Sequence, residues 1–120
     1  MAIAITVQNV DASGSTVLVT GTLAFSGNYT TGGDTLDWTT AIEQIAPSGK
    51  SIPSVSSPQV VLIASQGGNA DSYVAVQGSA LNSWKVKCFA AGGTEVSAGA
   101  YPAAITGDVV VFLAHFPKLQ

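Results

Sequence analysis

The amino-acid sequence predicts an all-β fold, a β-sandwich or jelly roll with about six to eight short antiparallel strands and at most one short helix. Hydrophobic residues recur with a period of two along most of the chain, which is typical of strands with one buried face. These runs are short, and turns rich in glycine separate them. A length of 120 residues suits one core, so we predict a single all-β domain over residues 1–120.

The first two runs predict a β-hairpin. Ile3, Ile5 and Val7 alternate with small or polar residues, and the run at 17–25 repeats that pattern after a turn-rich stretch. Odd-numbered residues should therefore face the core in both strands. Gly21 occupies one of these core-facing positions, which predicts a β-bulge or the close approach of another backbone.

A turn and the only helical spacing follow the hairpin. The adjacent glycines at 32–33 allow positive φ and predict a turn. The segment 36–45 then carries hydrophobic residues at helical spacing. Thr39 or Thr40 would cap this short helix, with Glu43 behind it as in a capping box.

Strands dominate the second half of the chain, after a loop rich in serine and proline at 45–58. The run at 60–63 is apolar at every position, which predicts a strand that is covered on both faces. Further strands are predicted at 73–77 and 109–116. A strand with one buried face is predicted between them, with Trp84, Val86 and Cys88 facing inward and Lys85 and Lys87 facing outward.

The charge content excludes several classes of function. Charged residues make up 9% of the chain, whereas about 25% is usual in soluble domains. The net charge is −3 and the sequence contains no arginine, so we expect no nucleic-acid partner. No stretch is long and apolar enough for a membrane helix, and the N-terminus lacks the basic region of a signal peptide. We therefore expect synthesis in a cytoplasm and no membrane partner.

Few residues could support catalysis or bind a metal. Cys88 is the only cysteine, and an isolated cysteine in a strand is more often a packed hydrophobe than a nucleophile. His115, the only histidine, follows Asp108 in an apolar strand, where a structural role is usual. Asp34 and Asp37 could share a calcium ion, but a turn and a helix cap are favoured. We predict no enzyme and no catalytic, cofactor or metal site.

The exterior predicted for this chain is unusual. With so few charged residues, serine, threonine, glycine and alanine must cover most of the surface. Freely soluble monomers usually carry more charge. The runs at 60–63 and 109–116 are also apolar on both faces, which favours burial against neighbouring molecules over the alternative of a low-charge monomer.

Two stretches resemble small virion proteins of tailed bacteriophages. Residues 20–37, TGTLAFSGNYTTGGDTLD, are similar to the early strand and the YxTGG-type turn of these proteins. Residues 90–108, AAGGTEVSAGAYPAAITGD, are similar to their penultimate segment, and a closing strand follows. Order and spacing match over most of the chain. Trp38 departs from the pattern, because a smaller residue is expected at that position.

The resemblance implies a structural role, since the family includes capsid decoration, cement and minor capsid proteins and has no catalytic residues to transfer. We expect a decoration or cement protein on the capsid surface of the virion. Its partners would be the major capsid protein and other copies of itself, without a cofactor. The alternative is a tail or fibre adsorption module that binds host glycan by stacking on Tyr29, Trp38 and Tyr101.

The loop at 29–38 is the predicted contact segment. It combines glycines, which let backbones approach closely, with aromatic residues that can anchor in pockets. The interface candidates are Tyr29, Gly32, Gly33, Asp34 and Trp38. For Trp38 the alternative is that its side chain covers one end of the protein's own core.

Overall fold

The computed structural model describes residues 3–11, 16–45, 58–67, 71–90 and 92–117. They form an all-β protein in which every strand pairing is antiparallel, as predicted. The elements in chain order are β1 (Ile3–Asp11), β2 (Thr16–Phe25), β3 (Asn28–Tyr29), β4 (Asp34–Leu36), α1 (Thr39–Ile45), β5 (Val60–Ser65), β6 (Ser72–Val76), β7 (Trp84–Phe89), β8 (Gly99–Ala100), α2 (Ala103–Thr106) and β9 (Val110–Pro117).

The described residues contain more elements than the sequence predicted, with nine strands and two helices. The strands β3 and β8 have two residues each and β4 has three, which is too short for a period of two to be visible. The helix α2 is a single turn after Pro102, too short to show helical spacing. The choice between a β-sandwich and a jelly roll stays a prediction.

A four-stranded sheet in the order β1-β2-β9-β5 forms one side of the core. The strands β1 and β2 make the predicted hairpin, and β9 pairs along its full length with residues 16–23 of β2. The prediction that odd-numbered residues face inward is confirmed by the side chains that are buried, which are Ile3, Ile5, Val17, Val19, Leu23 and Phe25.

Both features predicted at Gly21 are present. The register of β1 against β2 shifts between Val7 and Asn9, so Gln8 is the additional residue of a β-bulge. A Cβ atom on Gly21 would lie 2.0 Å from the carbonyl oxygen of Thr6. Only glycine allows this approach of the two strands.

A three-stranded sheet in the order β4-β7-β6 contributes the rest of the core. The predicted register of β7 is confirmed, because Val86 and Cys88 are fully buried and Lys85 is exposed. Side chains from both sheets form one hydrophobic cluster. Within this cluster the rings of Phe25 and Tyr73 stack with their centroids 5.3 Å apart.

The start of α1 is held by Asp37, for which a helix cap is favoured above. The backbone N–H of Thr39 donates to a carboxylate oxygen of Asp37 at 3.0 Å, and the Thr39 hydroxyl donates to the same oxygen at 2.6 Å. The Thr40 hydroxyl donates to the Asp37 carbonyl oxygen at 3.1 Å, so both threonine hydroxyls bond to Asp37, and the predicted capping box of Thr39 or Thr40 with Glu43 is wrong.

Two further expectations concern the loop predicted at 45–58 and the absence of a membrane helix. Most of the loop predicted at 45–58 lies outside the described residues. Within the described residues, neither helix is long and apolar enough to cross a membrane.

Candidate interaction surface

The aromatic residues of the predicted contact loop are buried in this chain. Tyr29 is 2% exposed and Trp38 is 0% exposed. The Trp38 ring packs edge-on against Phe112 and Phe116 of β9, with centroids 5.3 and 5.6 Å apart. Neither aromatic residue can anchor in a partner's pocket, so this part of the prediction is wrong, and Trp38 belongs to the core instead.

The other residues of that loop hold the turn together. The turn needs the positive φ of Gly32 and Gly33, 93° and 110°, and a Cβ on Gly33 would meet the Val86 carbonyl oxygen at 2.9 Å. A carboxylate oxygen of Asp34 accepts the Thr30 N–H at 3.2 Å. Gly33 and Asp34 are buried. A partner contact through the exposed part of the loop stays a prediction.

The aromatic residues predicted to stack on glycan are also buried. Tyr101 is 7% exposed, and its ring packs against Phe25 and Tyr29. All three aromatic residues assigned to that platform, Tyr29, Trp38 and Tyr101, are therefore part of the protein's own core. A glycan site on these residues is excluded in this fold.

Three tyrosine hydroxyls each donate a hydrogen bond to a carboxylate. Burial and these carboxylates raise the pKa of each tyrosine far above its ordinary value. Each pair joins residues far apart in the chain, so the carboxylates tie loops to the core. The pairs are Tyr29 with Glu95 at 2.6 Å, Tyr73 with Asp108 at 2.8 Å, and Tyr101 with Asp34.

The residues considered for catalysis, Cys88, Asp108 and His115, have structural roles in this fold. Burial raises the pKa of the Cys88 thiol to about 12, which agrees with the prediction of a packed hydrophobe. Asp108 binds Tyr73, whereas His115 pairs with Leu18 and Val60 across the four-stranded sheet. In the described part of the chain, no group of three or more histidine, cysteine, aspartate or glutamate residues could hold a metal ion.

The outer face of the four-stranded sheet carries the exposed aliphatic residues of β5 and β9. Leu62 is 62% exposed and Val60 is 48% exposed, so the prediction that this strand is covered on both faces is wrong for the isolated chain. The register aligns outward side chains in rows across the sheet. These rows are Val60–His115–Leu18, Leu62–Leu113–Thr20 and Ala64–Val111–Thr22.

This outer face, defined by those three rows and the outward residues of β1, is almost free of charge. Asp11, at the end of β1, is the only aspartate, glutamate or lysine in its four strands. The predicted interface candidates do not include these residues. The sequence signal for these residues is that the runs at 60–63 and 109–116 are apolar on both faces of the strand. This pattern indicates a second buried face but does not show where that face lies.

A shallow groove of about 300 Å³ lies at the centre of the outer face. Gln8 at the bulge, Thr20 of β2, Val111 and Leu113 of β9 and Leu62 of β5 line it. The groove offers apolar contact and hydroxyl groups, which suits a protein surface better than a polar ligand.

Comparison with protein-family models, with curated proteins and with solved structures finds no match to this chain.

One edge of the same sheet, that of β1, is contacted by a side chain of α1. The amide oxygen of Gln44 accepts the Val7 N–H at 2.7 Å, and its amide nitrogen donates to the Ile5 carbonyl at 2.7 Å. The Gln44 amide thus occupies two of the backbone groups that a strand added to β1 would use. This contact makes the edge of β1 a less favourable site for an added strand.

Proposed function

We propose that this chain is a structural protein of a tailed-phage particle, a decoration or cement protein that binds the outside of the head. The observation that supports this proposal is the uncharged, partly aliphatic outer face of the four-stranded sheet. Exposed apolar faces of this kind mark surfaces that are covered in an assembly. The resemblance of residues 20–37 and 90–108 to small virion proteins supports a phage particle as that assembly.

Stabilisation of the head would come from burial of apolar surface between this chain and the major capsid protein. Each square ångström of apolar surface removed from water contributes about 25 cal/mol. Because a shell repeats the contact by symmetry, many modest contacts would together resist outward pressure. With few charges at the contact, binding should depend little on ionic strength.

Quantitative mass spectrometry of purified particles tests the proposal. We expect on the order of hundreds of copies of this chain per particle, as symmetry of a shell requires. The chain should also remain bound after a wash at about 1 M salt, where the Debye length is only about 3 Å. A handful of copies would favour the tail or fibre alternative, and absence from the particle would refute both.

A further inference from the structure

We propose that a second copy of this chain packs on the outer face of the four-stranded sheet, forming a two-fold dimer through face-to-face packing of the two sheets. This inference goes beyond the proposed function and does not rest on it, because the dimer would form in solution without a capsid. It assigns the outer face to a second copy, so a contact with the major capsid protein would use the remaining surface of the dimer. Two antiparallel sheets pack in this way about 10 Å apart with their strands rotated by about 30°.

Charge on the two outer faces favours a second copy as the occupant. In a two-fold contact the same patch lies on both sides, so each charged residue near the axis would meet its own copy. The central rows of the outer face contain no aspartate, glutamate or lysine, and Asp11 lies at one end. The opposite outer face, that of the three-stranded sheet, carries Lys85 and Lys87 on β7 and would repel its copy.

The outer face also has a projecting side chain beside a shallow groove. Leu62 projects from β5 with 62% of its surface exposed, at the border of the groove of about 300 Å³. A two-fold axis between two stacked faces would bring the Leu62 side chain of each copy to the groove of the other. Burial of an aliphatic side chain in an apolar groove is the typical central contact of an interface.

The area agrees with a weak dimer. Four strands about 4.8 Å apart, with about six residues of about 3.4 Å each, make a face of roughly 20 by 20 Å. Two stacked copies would then bury roughly 800 Å², which is below the range of stable complexes, about 1,200 Å² and more, and in the range of weak ones. We therefore expect a dissociation constant in the micromolar range, within reach of solution measurements.

Sedimentation velocity of the purified full chain tests the dimer, with Val74→Lys as the matched control for Leu62→Lys. Both positions are exposed aliphatic residues in strands, and Val74, 49% exposed, lies in the three-stranded sheet. The wild type and Val74→Lys should dimerise equally between about 1 μM and 1 mM. Leu62→Lys should raise the dissociation constant at least about 100-fold, because each dimer contains the substitution twice.

Melting temperatures establish that all three proteins are folded, and Leu62→Ser replaces Leu62→Lys if the lysine variant does not fold. A wild type that stays monomeric at the highest concentration would overturn the dimer, as would equal weakening by both substitutions. A monomer that nevertheless needs Leu62 to bind particles would assign the face to a shell protein, leaving the proposed function intact. A dimer that never enters particles would refute only the proposed function.

Discussion

The two main sheets share one core, but the chemical character of their outer faces differs. On the three-stranded sheet, β7 alternates buried Val86 with outward lysines, the pattern of a strand that separates core from water. On the four-stranded sheet, β5 and β9 carry apolar residues on both sides, with the pair Leu62 and Leu113 outward and the pair Ile63 and Phe112 inward. The residues on the inner face of a sheet are thus determined by core packing, whereas those on the outer face depend on what that face contacts.

The largest effect is expected from a substitution on the buried face of β7 in the three-stranded sheet. Val86→Lys places an unpaired charge in the core and should lower the free energy of unfolding by about 4 kcal/mol or more. Lys87→Val, at the next position, should change it by less than about 1 kcal/mol. Urea denaturation of both variants measures the difference, and equal losses would show that the two faces of β7 are assigned incorrectly.

A smaller effect is expected at the edge of the four-stranded sheet. Gln44→Ala removes two hydrogen bonds to β1, and water replaces them in part, so we expect a loss of about 1 kcal/mol. The exposed edge should also increase aggregation through strand pairing. Chemical denaturation and light scattering measure the two consequences. Glu43→Ala, on the same helix, is the control, and the same aggregation in both variants would contradict the role of Gln44.

The smallest expected effect depends on pH and concerns the loop that Glu95 ties to Tyr29. Hydrogen bonds from the Tyr29 hydroxyl and the Gly32 N–H hold the pKa of Glu95 below its ordinary value of 4.5. Because the folded pKa is depressed, this stabilisation is present above about pH 4.5 and is lost as the pH falls through the folded pKa. Glu95→Gln should therefore flatten the acid side of the stability profile.

Melting temperatures between about pH 2 and pH 7 measure that flattening, across the range in which carboxylates titrate. Asp108, whose pKa is also lowered, remains in both proteins, so part of the acid dependence should persist. Tyr29→Phe removes the strongest hydrogen bond to Glu95 and should reduce the acid dependence in the same direction. Superimposable profiles for the wild type and Glu95→Gln would contradict this account.

Much of the fold could be predicted because local patterns determine which side of a strand is buried. The hairpin, the inward direction of Val86 and Cys88 and the close approach at Gly21 all follow from a period of two and from the small size of glycine. The strands β3, β4 and β8 could not be predicted, because two or three residues are too few to show a repeating pattern in the sequence.

The candidate surface could be predicted only in part. Sequence by itself determined that 60–63 and 109–116 are apolar on both sides, since alternation is a local property. Only the tertiary structure decided that β5 and β9 are neighbours, which joins their outer residues into one face. It also decided that Trp38 lies against Phe112 and is buried. The physical reason is that strand pairing and core packing join distant residues, and no local pattern specifies those partners.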